Sequence, residues 1–145
     1  MSHLHKQIRD AVETRLTGLA TTGSSVFTNR VYSLSDTQLP ALRIYTNGDD
    51  VVEGSISGTV VRSLTVVVEC CQKAGTTLDD SLDQISLEVE VALASTPLEI
   101  SGVPLNIIYQ SSDIELEESD SPTGVKRLSY LVEFVCAYSA PDTII

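Results

Sequence analysis

Glu69 and Glu133 are the side chains best placed by sequence to do chemistry. Each interrupts an apolar stretch that alternates like a β-strand, and each falls on its less apolar face. Two such carboxylates brought into one cleft could serve as the acid and base of a glycoside hydrolase. Aromatic residues make up only 5% of the chain and there is no Trp, so a sugar platform to accompany them would be poor. The competing account sets Arg43, on the corresponding face of its own strand, near one or both glutamates as a cross-strand ion pair. The spacing favours this structural pairing.

Other residues that could do chemistry point the same way. Asp79 and Asp83 lie one helical turn apart and could share a divalent cation, yet their place at a helix start makes them favourable to the helix dipole. His3 and His5, two apart, fall on different faces of a helix close to a terminus. Gly54 and Gly58 lack the following Lys and helix start of a phosphate loop, and two terminal histidines give no Ser-His-Asp set. Cys70, Cys71 and Cys136 are odd in number, lack CxxC spacing and read as small buried hydrophobes. No metal or cofactor is expected.

The elements that must position these residues follow from periodicity. Leu4, Ile8, Val12, Leu16 and Leu19 recur every three or four residues and predict an amphipathic helix over 3–20, with Ser2 as N-cap and Gly18 near its end. Val26–Phe27 and Val31–Tyr32 suggest a short extended segment at a sheet edge. Pro40 opens a strand over 41–46 in which Leu42 and Ile44 share one face and Arg43 and Tyr45 the other. Residues 47–59, NGDDVVEGSISGT, read as a long loop or partner-binding arm, with a long β-hairpin as the alternative. Strand alternation returns at Leu64–Cys71. Thr77 and Asp80 form a capping-box pattern for a second helix from Leu78 to Ser95, stopped by Pro97. Extended sequence over 103–117, an acidic turn at 117–124 and a long strand over 125–138 complete the chain. The fold class expected is α+β: a mixed, mostly antiparallel sheet of four to five strands with two main helices packed on one face.

At 145 residues the chain suits a single domain able to bury roughly 70% of its unfolded surface. Its longest unbroken apolar run, Phe134 to Tyr138, is far short of the roughly 20 residues of a membrane span. The amphipathic N-terminus has no signal-peptide apolar core, so the chain is expected to act without export. Net charge is −11, and residues 74–145 carry thirteen acids against two bases while residues 1–73 carry seven of each. Such a field disfavours nucleic-acid recognition and suits solubility or a basic partner.

In this layout the chain resembles the tail terminator proteins of lambda-type long-tailed bacteriophages, the minor tail protein U-like family. The resemblance lies in the N-terminal helix with Ile8-Arg9-Asp10-Ala11-Val12, the Val26-Phe27 step, the strand from Leu39 to Tyr45 and the acidic loop after it. Leu64 to Glu69, the helix opened by Leu78 and Leu82-Asp83, and Leu128-Ser129-Tyr130 extend it over most of the chain. The resemblance implies a structural virion protein, not an enzyme, forming a homo-oligomeric ring, typically a hexamer. Such a ring, assembled in the host cytoplasm, caps the head-proximal end of the tail tube, stops tube polymerisation and offers a surface for head joining. Its partners would be the tail tube protein and a head-completion or connector protein, with neither nucleic-acid sequence recognition nor a membrane. The subunit or partner contacts are expected at Asp49, Asp50, Val52, Glu53 and Ile56 in the long loop, and at Glu115, Glu117, Glu118 and Asp120 around the acidic turn. The tail from Ala140 to Ile145 and the paired cysteines have no counterpart there, which leaves a head–tail connector or neck protein of similar fold as the alternative. A small cytosolic hydrolase using Glu69 and Glu133, or a generic adaptor, would be the readings from other classes.

Overall fold

A computed structural model describes residues 2–28, 34–54, 57–117 and 122–145. In chain order the elements are α1 (Leu4–Leu16), β1 (Val26–Phe27), a 3-10 turn (Asp36–Gln38), β2 (Ala41–Gly54), β3 (Thr59–Lys73) and α2 (Leu78–Ala94). They continue with β4 (Leu98–Ile100), β5 (Val103–Leu105), β6 (Ile107–Glu117), β7 (Thr123–Ala137) and β8 (Ala140–Ile144). A six-stranded sheet has the order β1-β2-β3-β7-β6, with β8 also on β7, and β4 and β5 make a separate two-stranded ribbon. The β1–β2 pair is parallel and the other pairs are antiparallel.

The frame is set by β3 and β7, whose apolar residues alternate over most of their lengths. They pair without a register shift from Thr59 opposite Ala137 to Lys73 opposite Thr123. Residues opposite one another share a face, so Leu64, Val66, Val68 and Cys70 line up with Val132, Tyr130, Leu128 and Lys126. The even-numbered apolar residues of β2, β3 and β7 form one buried cluster with Leu4, Ile8, Val12 and Leu16 of α1 and Leu82, Ile85, Val89 and Leu93 of α2. Both helices therefore cover one face, as the periodicity requires, and each fully buried Leu or Ile contributes roughly 1.5–3 kcal/mol. A smaller cluster of Leu34, Ala41, Cys71 and Val125, with Phe27 and Leu39 against it, covers part of the opposite face. Among the described residues no helix is long and apolar enough to cross a membrane.

The α+β class with two helices on one face agrees with the sequence, but several boundaries differ. Residues 47–54 are not loop: β2 continues through them to Gly54, and β3 begins at Thr59, so the hairpin alternative is the one adopted. Two bulges, between Thr46 and Asp49 and between Val51 and Glu53, absorb the residues that broke the alternation. Helix α1 starts at Leu4, and His3 rather than Ser2 is its N-cap, its Nδ1 accepting the His5 N–H at 3.0 Å. Thr77 precedes α2 but its side chain makes no capping bond, so the capping box is not formed. The 103–117 stretch is divided into β5 and β6, and the C-terminal tail forms β8, whose Asp142 carbonyl accepts from Gln7 of α1. Val31 and Tyr32 lie outside the described residues.

One position ties α2 to the sheet tightly. A Cβ built on Gly124 of β7 would lie 2.6 Å from both methyl carbons of Leu78, so glycine here is what lets the helix start approach the strand. Gly124→Val is expected to destabilise by about 1–3 kcal/mol through overpacking, and Leu78→Ala in the same chain should recover part of that loss. Urea unfolding of the four members of this cycle measures the coupling. Additive losses would mean that Leu78 has room to move aside.

Candidate functional site

Charge is concentrated on the face of the sheet that the helices leave open. The register sets Arg43 of β2 opposite Glu69 of β3, Glu69 opposite Arg127 of β7, and Arg127 opposite Asp113 of β6. This is a row of alternating sign across four strands. Arg43 Nε lies 3.0 Å from Glu69 Oε1, and Arg127 Nε lies 2.9 Å from Glu69 Oε2. Tyr45 donates its hydroxyl to the same Oε2 at 3.1 Å. Other arginine nitrogens reach further acids: Arg127 reaches Asp113 at 2.9 Å and Glu115 at 2.8 Å, and Arg43 reaches Glu117 at 2.6 Å. Arg43 and Glu69 are each 4% exposed, so their charges are held largely out of water.

The electrostatics follow from these contacts. The hydrogen bond to Glu115 raises the Arg127 guanidinium above its ordinary value, with Tyr45 and Glu69 adding to it against burial. Burial acts to lower Arg43, but the Glu117 bond and neighbouring negative charge outweigh it. Burial and the Glu69 charge push the Tyr45 phenol up. Glu69 is thus bound on both oxygens and offers no free carboxylate for proton transfer. Six residues further along β7, Glu133 stands opposite Ser63 and is exposed. That separation is roughly 20 Å of strand, against the roughly 5–9.5 Å between carboxylates of a glycosidase pair. The two glutamates do not share a cleft, and the ion pair expected for Arg43 forms with Glu69 and not with Glu133.

A second cluster, on the helix side, was not legible in the sequence. The bulge after Thr46 turns Asp49 onto the face it shares with Leu64, where its Oδ2 meets His5 Nε2 at 2.6 Å and Arg62 Nη2 at 2.6 Å. The Arg62 guanidinium also stacks 5.3 Å from the Phe134 ring centre and lies 3.7 Å from Cys136 Sγ. Burial would raise the Asp49 carboxyl, but hydrogen bonds from His5 and Arg62 hold it below its ordinary value. This clasp joins the start of α1 to the β2–β3 hairpin.

Of the other expected contact residues, Asp50, Val52 and Glu53 are exposed on β2 beyond the clasp, while Ile56, Glu118 and Asp120 lie outside the described residues. Asp83 pairs with Lys126 at 3.0 Å. All three cysteines are free and buried; burial pushes Cys70 and Cys71 up to about 12, and they sit on opposite faces of β3. A groove of about 920 Å³ between α1 and the β4–β5 ribbon includes Arg15, but that cation is committed to the α2 C-terminus through the Ala92, Thr96 and Pro97 carbonyls. Among the described residues no three His, Cys, Asp or Glu side chains gather in a way that could hold a metal.

No protein-family model and no curated protein matches the chain. Its structure is similar to a chain from the "Virion of native gene transfer agent (GTA) particle" at 15% identity, with a TM-score of 0.62, covering 91% of this chain and 98% of that one. At that identity the likeness establishes a shared fold.

Two outcomes separate the roles of these charges. Glu69→Ala strands a buried arginine and is expected to cost about 3–5 kcal/mol, whereas exposed Glu133→Ala should stay within about 0.5 kcal/mol of the parent. Denaturant unfolding reads both, and equal small losses would remove the buried row from the list of stabilising contacts. Asp49 supplies the pH dependence. Its folded pKa is depressed, so its contribution is present above the unfolded value of about 3.9 and is lost as pH falls through the folded value. Asp49→Asn should therefore unfold more easily than the parent at pH 7, by about 1–3 kcal/mol, with the gap narrowing as pH falls below the unfolded value. A gap that does not change with pH would exclude Asp49 as the titrating group.

Proposed function

We propose that this chain is a structural subunit of a phage-like particle and that it serves as a tail terminator. Copies close into a ring, expected to be a hexamer, that caps the head-proximal end of the tail tube, stops its growth and presents the surface to which the head joins. The observation that carries this reading is the likeness of fold to a virion chain over nearly the whole of both molecules. The narrower role rests on the resemblance to tail terminators drawn from the sequence, in the N-terminal helix, the strand from Leu39 to Tyr45 and the strand around Leu128-Ser129-Tyr130.

The physical properties suit assembly better than catalysis. The carboxylate most buried in the sheet is consumed by two arginines, and its expected partner in a hydrolase stands elsewhere. What the chain exposes instead is contact surface. Beyond the His5–Asp49–Arg62 clasp, β2 presents Asp50, Val52 and Glu53, with Val51 64% and Val52 54% exposed. These residues, together with Ile56, are the proposed contact with a neighbouring subunit. Asp49 takes part by fixing the hairpin to α1. Glu115 at the opposite edge of the sheet, with Glu118 and Asp120 following in sequence, is the proposed side for the tube or head-completion protein, and Glu117 braces it through Arg43. The protein would then reside in the virion, at the head-proximal end of the tail, after assembly in the host cytoplasm.

Native mass spectrometry from dilute to concentrated protein, paired with electron microscopy of polymerising tail tubes, tests the proposal. Six-fold rings and tubes arrested with a ring at one end are expected. A chain that stays monomeric throughout and leaves tube length unchanged overturns it. Rings that bind head vertices and ignore tubes identify the neck protein instead.

A further inference from the structure

We propose that the free edge of β6 is a docking site for an extended β-strand of alternating basic and apolar residues supplied by another protein. The inference is independent of ring formation and would hold for any particle the chain belongs to.

Strand β6 ends the sheet order: one edge pairs with β7, and among the described residues no strand pairs with the other. Residues 108–116 are all exposed. A free edge is a row of unpaired N–H and C=O groups, and proteins usually blunt it with Lys, Pro or a covering segment. Over its eleven residues β6 has no Lys, Arg or Pro, and its single bulge lies at Tyr109–Ser111, which leaves 112–117 regular.

That regular half carries two distinct rows. Ile114 and Leu116 lie opposite Lys126 and Gly124 on the helix side and are 51% and 61% exposed. Lys126, opposite Ile114, is bonded to Asp83 of α2. On the open side stand Asp113, Glu115 and Glu117. Among the described residues the four carboxylates, counting Glu69, pair with two guanidiniums, those of Arg43 and Arg127, and the Asp113 and Glu115 side chains remain 65% and 52% exposed. An incoming strand would therefore meet backbone partners, an apolar row on one side and surplus negative charge on the other.

Charge also selects the occupant. Pairing of β6 with β6 of a second copy sets acids against acids. Pairing with the outer edge of β2 in a second copy does no better, because beyond Arg43 that strand carries Asp49, Asp50 and Glu53 and no Lys or Arg. Like charges directly opposite are unfavourable across a sheet. The strand that fits is basic and comes from a different chain.

The test uses the full chain and end-capped nine-residue peptides labelled with a fluorophore. One peptide alternates Lys or Arg with Val or Ile, a second replaces the basic residues by Glu, and a third is the basic peptide N-methylated at alternate residues on the edge that would bond β6. Anisotropy should show saturable binding of the first alone, weakened at least tenfold by N-methylation and by Ile114→Lys or, separately, Leu116→Lys. Both substitutions are at exposed positions, and a thermal melt of each variant confirms that it is folded. No binding of the basic peptide overturns the proposal, as does binding that N-methylation leaves unchanged, which would be charge attraction without strand addition. Self-association that Ile114→Lys abolishes while the peptide fails to compete would assign the edge to a second copy and likewise overturn it. Failure of ring formation in the previous experiment alters none of these readings.

Discussion

The structure depends on how one buried carboxylate is satisfied. Glu69 is nearly inaccessible to water, and a charge in that position is tolerated only if partners reach both oxygens. They come from two neighbouring strands, Arg43 on β2 and Arg127 on β7, so the ion row forms in a single alignment of three strands. A slip of one residue in either ladder would turn one arginine toward the helices and take a partner from Glu69. The row thus specifies register on the open face as the interlocking apolar residues do on the helix face. The acids of β6 then depend on it in turn, because their hydrogen bonds go to the outer nitrogens of the same two arginines.

Much of this was legible where periodicity was long and unbroken. The helices and the long central strands announce themselves through runs such as Leu82-Ile85-Val89-Leu93 and Leu128-Tyr130-Val132-Phe134, and the Arg43–Glu69 pair follows from strand parity. The outer half of β2 does not, since Asn47-Gly48 reads as a turn and two bulges break the period just where the strand continues. Strands β4 and β5 have three residues each, too few for a periodic signal, and β8 follows β7 after only two residues. Arg127 had a signal, because it shares parity with Glu133, but which glutamate it serves depends on a register set by distant residues. The clasp of His5, Asp49 and Arg62 joins segments remote in sequence, and no local pattern encodes it.

The two faces of the sheet therefore have different tasks. The helix face is a conventional core that supplies stability. The open face holds a charged row and a small apolar cluster, and the sheet has edges of differing character, one held to α1 by the clasp and one, at β6, without a paired strand among the described residues. A protein that works by joining others needs rigid surfaces more than reactive groups. The salt-linked face provides them, since long side chains that bond one another across four strands are already ordered before any partner arrives.

Adjacent in sequence but separated by the sheet, Cys70 and Cys71 give the molecule a pair of internal reporters. Cys70 is sealed beneath the helices, and Cys71 beneath Leu34 and its neighbours, so each thiol belongs to a different compartment. With both thiols held protonated at ordinary pH, alkylation requires the layer above to lift away. The relative labelling of two consecutive residues then separates helix detachment from loosening of the opposite layer, and in an assembly it would distinguish which side of each subunit breathes.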